Sequence, residues 1–245
     1  MSQAIKIKSL SKSFGQIHAV RDVSFDVNRG EVLGFLGPNG AGKSTTMKMI
    51  TGFLEPTSGT VEVDGHDVLE NPLSVKRSVG YLPEGAPAYG EMTVKNFLNF
   101  IADIRELKGS TRKTRLDEVI ETINIQNVID QSIETLSKGY KRRVGLAQAI
   151  LHDPDILILD EPTDGLDPNQ KHEVRNLIKK MAKEKAIIIS THILEEVDAV
   201  CSRAIIISSG KLLFDGTPGE LIAKSEQGDI DHAFRNITTL KSIET

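Results

Sequence analysis

The feature that most constrains the fold is a glycine-rich stretch, Gly37-Pro-Asn-Gly-Ala-Gly-Lys-Ser44. It follows an apolar segment, Glu31–Leu36, that predicts a buried strand, and it precedes a segment, Lys43–Phe53, that predicts a helix. The stretch fits the pattern GxxxxGK[ST], in which glycines let the backbone curl so that successive N–H groups point at phosphate oxygens. In this strand–loop–helix context the sequence predicts a phosphate-binding loop rather than a flexible surface loop that matches by chance.

The contacts expected of this loop extend into the first turn of the helix. The helix N terminus adds the positive end of its dipole. Lys43 is placed to reach the β- and γ-phosphates of a nucleotide, and the Ser44 hydroxyl is a ligand for Mg²⁺. The predicted ligands are therefore ATP and Mg²⁺, and the residues predicted to bind the phosphates are Gly37, Pro38, Asn39, Gly40, Ala41, Gly42, Lys43, Ser44 and Thr45.

A second signal is an apolar segment, Ile156–Leu159, that ends in two acids, Asp160 and Glu161. Successive side chains of a strand point to opposite faces, so the two carboxylates can take separate tasks beyond the strand end. Asp160 is placed to hold the water shell of the magnesium ion. Glu161 is placed to orient and deprotonate an attacking water. Alone, the acids would equally suit a cap of the next turn, but the phosphate loop upstream favours the functional interpretation.

The segment Leu136–Tyr140 precedes a predicted helix, and Ser137 is expected to cap it. Free N–H groups at such a helix start form a second anion site. Two anion sites are odd in a molecule that binds one ATP, but they make sense if this loop covers the ATP of a neighbouring molecule. Standing alone, the motif would be interpreted as a plain helix cap.

The order of segments predicts an α/β fold. Apolar strands alternate with helices, which indicates a mainly parallel, doubly wound sheet. Between residues 91 and 151 apolar residues recur at helical spacing and predict an inserted helical part. Further strands are predicted at Ile5–Leu10 and Val23–Val27, and a hairpin at Ala204–Ile207 and Lys211–Phe214. A polar tail with one mildly amphipathic piece near Ala233–Ile237 is expected after it.

Composition limits the possible functions. The chain has 245 residues, a formal net charge of -4 and a pI near 5.9, which argues against a general nucleic-acid binder. Cys201 is the single cysteine, so no intrachain disulfide forms. The apolar runs are far too short to span a bilayer, and the first residues are too polar for a secretory signal. Any membrane role is therefore expected to need a partner.

The order of the phosphate loop, Leu136–Tyr140, the acidic strand end Ile156–Glu161 and His192 resembles the nucleotide-binding subunit of ATP-binding cassette (ABC) transporters. The resemblance extends from Ile5 to Phe214. It implies a P-loop NTPase core with a mainly parallel sheet, an antiparallel β subdomain and an inserted helical subdomain. The implied division is a core at 1–90 and 152–215, a helical subdomain at 91–151 and a C-terminal tail at 216–245.

The same resemblance implies how the protein works. Two subunits form a head-to-tail dimer, in the simplest case with a second copy of this chain. Each ATP lies between the phosphate loop of one subunit and the Ser137 and Gly139 of the other. The implied partner is an integral-membrane permease, and the implied location is the cytoplasm, peripheral on the inner face of the cell membrane. Nucleic acid is not an expected partner.

Several residues take roles from the family's motifs. Phe14 matches the aromatic residue that stacks on adenine, although an ordinary core phenylalanine is the alternative. Glu84 stands where the family usually has glutamine, a residue that reaches the metal and faces the membrane subunit. His192 matches the histidine that contacts the γ-phosphate, so the expected catalytic residues are Glu161, His192 and Lys43. The loop Asp164–Asp167 matches the segment that joins the two active sites.

Some positions depart from the common family pattern. Lys138 and Tyr140 replace a glycine and a glutamine, and Asp164 replaces a serine. Together with Glu84 and the tail after Asp229, these departures resemble the type-2 export branch of the family. The basic run Lys141–Arg143 is expected to be a solvated helix face.

Two other functions compete with a transport ATPase. A soluble ABC protein acting on ribosomes or DNA usually carries two cassettes or a long coiled-coil insert, and this chain has one cassette and no long heptad run. A regulatory module that no longer hydrolyses ATP would be expected to lack key residues. The residues expected of an active enzyme are present, namely Lys43, Asp160, Glu161 and His192.

Overall fold

The structure, a computed structural model, describes residues 3–240. Its strands are β1 (Gln3–Phe14), β2 (Ile17–Asn28), β3 (Val32–Leu36), β4 (Ser58–Val63), β5 (His66–Asp67), β6 (Val79–Leu82), β7 (Ile156–Asp160), β8 (Ala186–Thr191), β9 (Arg203–Ser208) and β10 (Lys211–Gly216). Its α-helices are α1 (Lys43–Ile50), α2 (Pro72–Ser78), α3 (Val94–Ile104), α4 (Gly109–Ile123), α5 (Lys138–Ile150), α6 (Pro168–Met181), α7 (Leu194–Val200), α8 (Pro218–Ile222) and α9 (Ile230–Leu240). The α/β class predicted from the sequence is confirmed.

A six-stranded sheet with the order β10-β9-β3-β8-β7-β6 forms the centre of the fold. The strands from β9 to β6 are parallel, and β10 pairs antiparallel with β9. Each residue of β3, β7 and β8 is buried. On β7, Ile156 and Ile158 pack into one core cluster while Leu157 and Leu159 pack into the other. This continuous apolar run is typical of a strand covered on both faces.

The parallel order brings the chemistry-bearing loops to one edge of the sheet. In the register, Leu36 pairs with Thr191, and Asp160 pairs with Ser190. The carboxyl ends of β3, β8 and β7 therefore lie side by side. The loops that follow them begin at Gly37, Glu161 and His192, residues far apart in the sequence.

A second, antiparallel sheet with the order β2-β1-β4-β5 packs on the central sheet. Its apolar residues share a buried cluster with α1 and with one face of the parallel strands, including Phe25, Phe35 and Met47. The rings of Phe25 and Phe35 lie with their centroids 5.5 Å apart. This contact joins the two sheets directly.

Helices α3, α4 and α5 form the predicted helical part. Their apolar faces and the other face of the parallel sheet share one buried cluster, including Phe97, Leu98, Val119, Val144 and Leu146. Among residues 3–240, the structure contains no helix with the length and apolar character needed to cross a membrane.

The structure differs from the sequence-based expectation at several elements. The strands predicted at Ile5–Leu10 and Val23–Val27 are parts of a longer hairpin that turns at Gly15–Gln16. Helix α2 was not expected, because its single buried residue, Val75, leaves little periodic signal. The tail is more structured than expected and contains α8 and α9 up to residue 240, while residues 241–245 lie outside the described part.

Candidate functional site

The phosphate loop follows a path that glycine alone permits at two points. A Cβ atom on Gly37 would lie 2.3 Å from the carbonyl oxygen of Ile207. Gly42 has a φ of 105°, and a Cβ atom there would lie 2.4 Å from the carbonyl oxygen of Ala19. Gly42 also caps α1 without a side-chain hydrogen bond, so no side chain satisfies the N–H groups of the first turn. The loop and helix start thus present the backbone donors that an anion needs.

Lys43 lies folded over this loop. Its Nζ donates to the carbonyl oxygens of Gly37 at 2.6 Å and Pro38 at 3.1 Å, and 7% of the residue is exposed. Burial lowers the pKa of Lys43 from its usual value, and three nearby carboxylates act in the opposite direction, those of Glu161, Asp160 and Glu84. The lysine and the acids predicted from separate motifs therefore lie in one electrostatic site.

Asp160 ends β7 with its carboxylate buried. One oxygen accepts a hydrogen bond from Ser190 Oγ, and the other, Oδ2, is buried without a hydrogen-bond partner. A buried carboxylate oxygen without a donor is costly unless a cation or water approaches it. Asp160, Ser44 and Glu84 line one cleft of about 600 Å³. The cleft therefore brings together the three residues predicted from the sequence to contact the metal.

The oxygen donors in this cleft fit a magnesium ion. Mg²⁺ is usually held by one or two carboxylates together with substrate phosphates and water, rather than by a cage of protein ligands. Across residues 3–240 the structure contains no group of three or more His, Cys, Asp or Glu arranged as such a cage. Two carboxylates and a hydroxyl beside a phosphate loop match this sparse mode of binding.

Glu161 and His192 are in direct contact. His192 Nδ1 lies 2.9 Å from Glu161 Oε1, and the Glu161 side chain is 18% exposed. The Glu161 backbone has a φ of 52°. This left-handed conformation costs about 1–2 kcal/mol for an L-residue, so the surrounding contacts must hold it. One such contact is the hydrogen bond from Glu161 N–H to the Ser190 carbonyl at 2.9 Å.

The segment at the start of α5 is separate from this cleft. Ser137 caps the helix as expected, with its hydroxyl accepting a hydrogen bond from Tyr140 N–H at 3.3 Å. A Cβ atom on Gly139 would lie 2.9 Å from Gln170 Oε1, so the backbone packs closely there. Neither Ser137 nor Gly139 lines the cleft that contains Ser44 and Asp160. Within a single chain, the start of α5 is therefore separate from the cleft beside the phosphate loop.

Two departures from the common family pattern pair with each other. Lys138 Nζ lies 2.8 Å from Asp164 Oδ2, and this contact lowers the pKa of the Asp164 carboxyl. The aliphatic part of Lys138 lies over Gly165, where a Cβ atom would be 2.6 Å from the lysine Cδ. The start of α5 and the loop after Glu161 are therefore joined within one chain.

The expectation that Lys141–Arg143 forms a solvated face is wrong for both arginines. Arg142 is 4% exposed and Arg143 is 7% exposed. Arg142 donates to the Pro83 carbonyl at 3.2 Å, and Arg143 donates to Glu173 Oε2 at 2.8 Å. Each guanidinium group donates to acceptors on other elements, which compensates for part of its loss of water, while Arg143 Nε is buried without a hydrogen-bond partner.

Phe14 is an exposed side chain rather than a core residue, which rules out the alternative considered for it. It is 48% exposed at the end of β1 and pairs with Ile17 across the hairpin. Strand β2 then passes the phosphate loop at Ala19, whose carbonyl oxygen faces Gly42. Lys12 Nζ lies 5.2 Å from the centroid of the Phe14 ring. The hairpin thus carries an accessible aromatic ring near the phosphate loop.

A glycine-rich loop with free backbone N–H groups follows β3. Two acids stand at the end of β7, which lies two positions away in the sheet. This is the arrangement of a P-loop ATPase. The fold and the site assign the chain to this class.

Comparisons with known proteins narrow the class to a family. The family model described as ABC transporter matches residues 20–164. The uncharacterized ABC transporter ATP-binding protein YxlF of Bacillus subtilis is 39% identical over 217 residues, which are 89% of this chain and 72% of that protein. The probable multidrug ABC transporter ATP-binding protein YbhF of Escherichia coli is 38% identical over 222 residues, 90% of this chain but 38% of that protein.

A solved structure described as the ATP binding subunit of an ABC transporter shares the fold. Its TM-score is 0.87 with 29% sequence identity, and the match covers 96% of this chain and 99% of that one. The chain therefore belongs to the ABC transporter family and is an ATP-binding subunit with the ATPase activity of that family. The family resemblance, the fold class and the ATPase assignment made from the sequence are confirmed.

Proposed function

We propose that this chain powers a membrane exporter by hydrolysing Mg-ATP in a head-to-tail dimer with a second copy of itself. The observation that carries the proposal is the convergence on one sheet edge of Lys43, the unpaired oxygen of Asp160 and the Glu161–His192 contact. Export is supported by the likeness to YbhF, which is named as a probable multidrug ABC transporter ATP-binding protein. The proposed division of the chain is a core at 1–90 and 152–215, a helical subdomain at 91–151 and a tail at 216–245.

Each residue of the site has a proposed task. The phosphates bind to the backbone of residues 37–45 and to Lys43 Nζ, which leaves the Gly37 and Pro38 carbonyls when a phosphate arrives. Ser44, Asp160 and Glu84 hold Mg²⁺, which neutralises phosphate charge when bound. Glu161 takes a proton from the attacking water while the water oxygen bonds to the γ-phosphorus, and the bond between the γ-phosphorus and the bridging oxygen breaks to release ADP. His192 orients the Glu161 carboxylate and contacts the γ-phosphate.

The dimer is supported by the separation of the two anion sites. Ser137 and Gly139 do not line the cleft of their own chain, yet they offer a helix N terminus and a close backbone approach. A second subunit placed head to tail would bring them over the γ-phosphate bound at the other chain's phosphate loop. The closed dimer then buries two ATP molecules and becomes the unit that hydrolyses them.

Replacing Phe14 with alanine should raise the KM for ATP by about tenfold and change kcat little, because loss of one stacking contact weakens ground state and transition state alike. The Phe14→Tyr variant keeps the ring face and should behave as wild type. Steady-state ATPase assays on both variants measure the two constants. A fall in kcat with KM unchanged would contradict the role in adenine binding, and so would an unaltered enzyme.

The permease should dock on the surface beside the metal cleft. The cleft is flanked by Phe53, which is 76% exposed, and the neighbouring surface carries Tyr89, which is 61% exposed. Tyr89 lines a mainly apolar groove of about 590 Å³ with Met92 and Phe100, and Glu91 is the one charged residue among the described residues that line it. Exposed aromatic rings around a groove are typical of an anchor site for a helix of a partner protein.

Replacing Tyr89 with glutamate should prevent association with the permease and leave the ATPase rate of the isolated chain within about twofold of wild type, since a charge in an apolar groove costs several kcal/mol on docking. The Tyr89→Phe variant keeps the anchor and serves as the matched control. Co-purification from detergent-solubilised membranes, followed by ATPase assays with and without the captured polytopic protein, tests the prediction. Recovery of ribosomes or nucleic acid instead, with no membrane protein, would refute the transporter assignment.

A further inference from the structure

A buried carboxylate, that of Glu196 on α7, joins the two loops that carry Glu161 and His192. Glu196 is 3% exposed. Its Oε1 accepts a hydrogen bond from the hydroxyl of Thr163, and its Oε2 accepts one from the hydroxyl of Thr191 at 2.8 Å. Thr163 follows Glu161 by two residues, and Thr191 immediately precedes His192. One side chain is therefore hydrogen-bonded to the loop after Glu161 and to the last residue of β8, from which the His192 loop begins.

Both threonines are held in place for this contact. Thr163 is 2% exposed and Thr191 is 1% exposed, so neither hydroxyl has water as an alternative partner. The Thr191 oxygen also accepts a hydrogen bond from Ile193 N–H at 3.0 Å, which leaves its proton for Glu196. A buried hydroxyl without a partner is unfavourable, and hydrogen bonds to a carboxylate are stronger than neutral ones. The bridge therefore opposes any movement of one loop relative to the other.

The surroundings of Glu196 suit a charged group. Arg175 Nη2 on α6 lies 3.8 Å from Glu196 Oε1, and Arg175 Nε is buried without a hydrogen-bond partner. A buried carboxylate that accepts two hydroxyl bonds and faces a guanidinium is compensated for its loss of water. A glutamine at this position would keep the shape but lose the attraction to Arg175 and one of the strong acceptors.

We propose that Glu196 is a positioning residue for ATP hydrolysis, which fixes the spacing of the two loops and thereby holds the Glu161 carboxylate against the His192 imidazole. The inference rests on the proposed roles of Glu161 and His192. Glu161 needs such support because its backbone is left-handed, with a φ of 52°. The bridge lies two residues from this strained position on one side and one residue from His192 on the other.

Replacing Glu196 with glutamine should lower kcat by about tenfold while the KM and the dissociation constant for ATP change by less than about twofold, since Glu196 touches the loops and not the nucleotide. Glu195→Gln, which alters an exposed carboxylate on the same helix, is the matched control and should match wild type. A second pair of variants alters Thr163, whose hydroxyl donates to Glu196. Thr163→Val keeps the side-chain shape and should lower kcat as Glu196→Gln does, whereas Thr163→Ser keeps the hydroxyl and should restore it.

A double-mutant cycle separates positioning from general stability. If Glu196 acts through Glu161, adding Glu196→Gln to a Glu161→Gln chain should reduce the residual single-turnover rate by less than about twofold. A purely structural role would instead reduce the ATP-binding fraction and the melting temperature equally in both backgrounds. Wild-type kcat in Glu196→Gln and Thr163→Val, with Glu161→Gln inactive, would overturn the inference alone. A Glu161→Gln chain that hydrolyses ATP at the wild-type rate would overturn the proposed function on which it rests.

Discussion

Replacing Glu161 with glutamine should reduce ATP hydrolysis by about 100- to 10,000-fold, the usual contribution of a general base, while ATP still binds. The carboxamide has the size of the carboxylate but cannot take a proton from water. Its oxygen can still face His192 Nδ1, which lies 2.9 Å from Glu161 Oε1 in the wild-type chain. The phosphate-binding groups, including Lys43 and Ser44, are untouched. Single-turnover hydrolysis and equilibrium nucleotide binding measure the two effects separately, with the exposed Glu121→Gln as control.

The Glu161→Gln variant should also stabilise the ATP-bound dimer. When ATP is bound and not hydrolysed, the γ-phosphate continues to join one chain's phosphate loop to the other chain's Ser137 and Gly139. The Glu161→Gln chain should therefore be a monomer without nucleotide, a stable dimer with ATP, and a monomer with ADP. Adding Ser137→Arg fills the second anion site with a large side chain and should prevent the dimer.

Size-exclusion chromatography with light scattering distinguishes these states. A Glu161→Gln chain that binds ATP yet stays monomeric at micromolar concentration would contradict the sandwich arrangement. Hydrolysis at the wild-type rate would instead remove Glu161 from the role of base and leave the dimer to be tested by other means.

The parts of the site that follow strands could be predicted from the sequence. The loop at Gly37–Ser44 and the acids at Asp160 and Glu161 each follow a run of buried apolar residues, a local signal that does not depend on the rest of the fold. Parallel strands then place such loops at one edge. The Ser137 cap was predictable for the same reason, since capping is decided within one helical turn.

The β1–β2 hairpin shows why the predicted strands were shorter than the observed ones. The pairing of the two strands shifts register at several points, and Ser9 and Asp22 within them have φ values of 47° and 51°. Such irregularities break the alternation of apolar and polar residues on which strand prediction depends. The turn at Gly15–Gln16 also lacks the Asn-Gly or Asp-Gly signal of a tight hairpin.

Contacts between distant side chains could not be predicted. Glu195 and Glu196 look alike in the sequence, yet one is exposed and the other is buried between Thr163 and Thr191. The pairing of Lys138 with Asp164 likewise joins residues on different elements. Only the tertiary structure supplies the hydroxyl partners that make the burial of Glu196 possible.

Replacing Lys43 with alanine should lower the hydrolysis rate at least about 100-fold, the usual effect of removing one donor that stabilises transition-state charge. ATP binding should weaken by about 10- to 100-fold, since a hydrogen bond to a charged group is worth about 1.5–3 kcal/mol. The structure also shows contacts of Lys43 within its own chain that could not be predicted from the sequence. Lys43 is largely buried and donates to the carbonyls of Gly37 and Pro38, so its removal also releases two acceptors of the loop.

The control variants must therefore distinguish the effect of losing the Lys43 charge from the effect of a changed loop conformation. Lys43→Arg keeps the charge but brings a larger planar group into a tight site, so binding should recover more than hydrolysis does. Lys113→Ala removes an exposed lysine of α4 and should match wild type in both assays. Melting temperatures measured without nucleotide should stay within a few degrees for all three variants if the loop remains formed. Wild-type ATP affinity in a folded Lys43→Ala chain would show that the nucleotide binds elsewhere. ATP is highly negative, so removing the lysine of the proposed phosphate loop must weaken binding if ATP binds there.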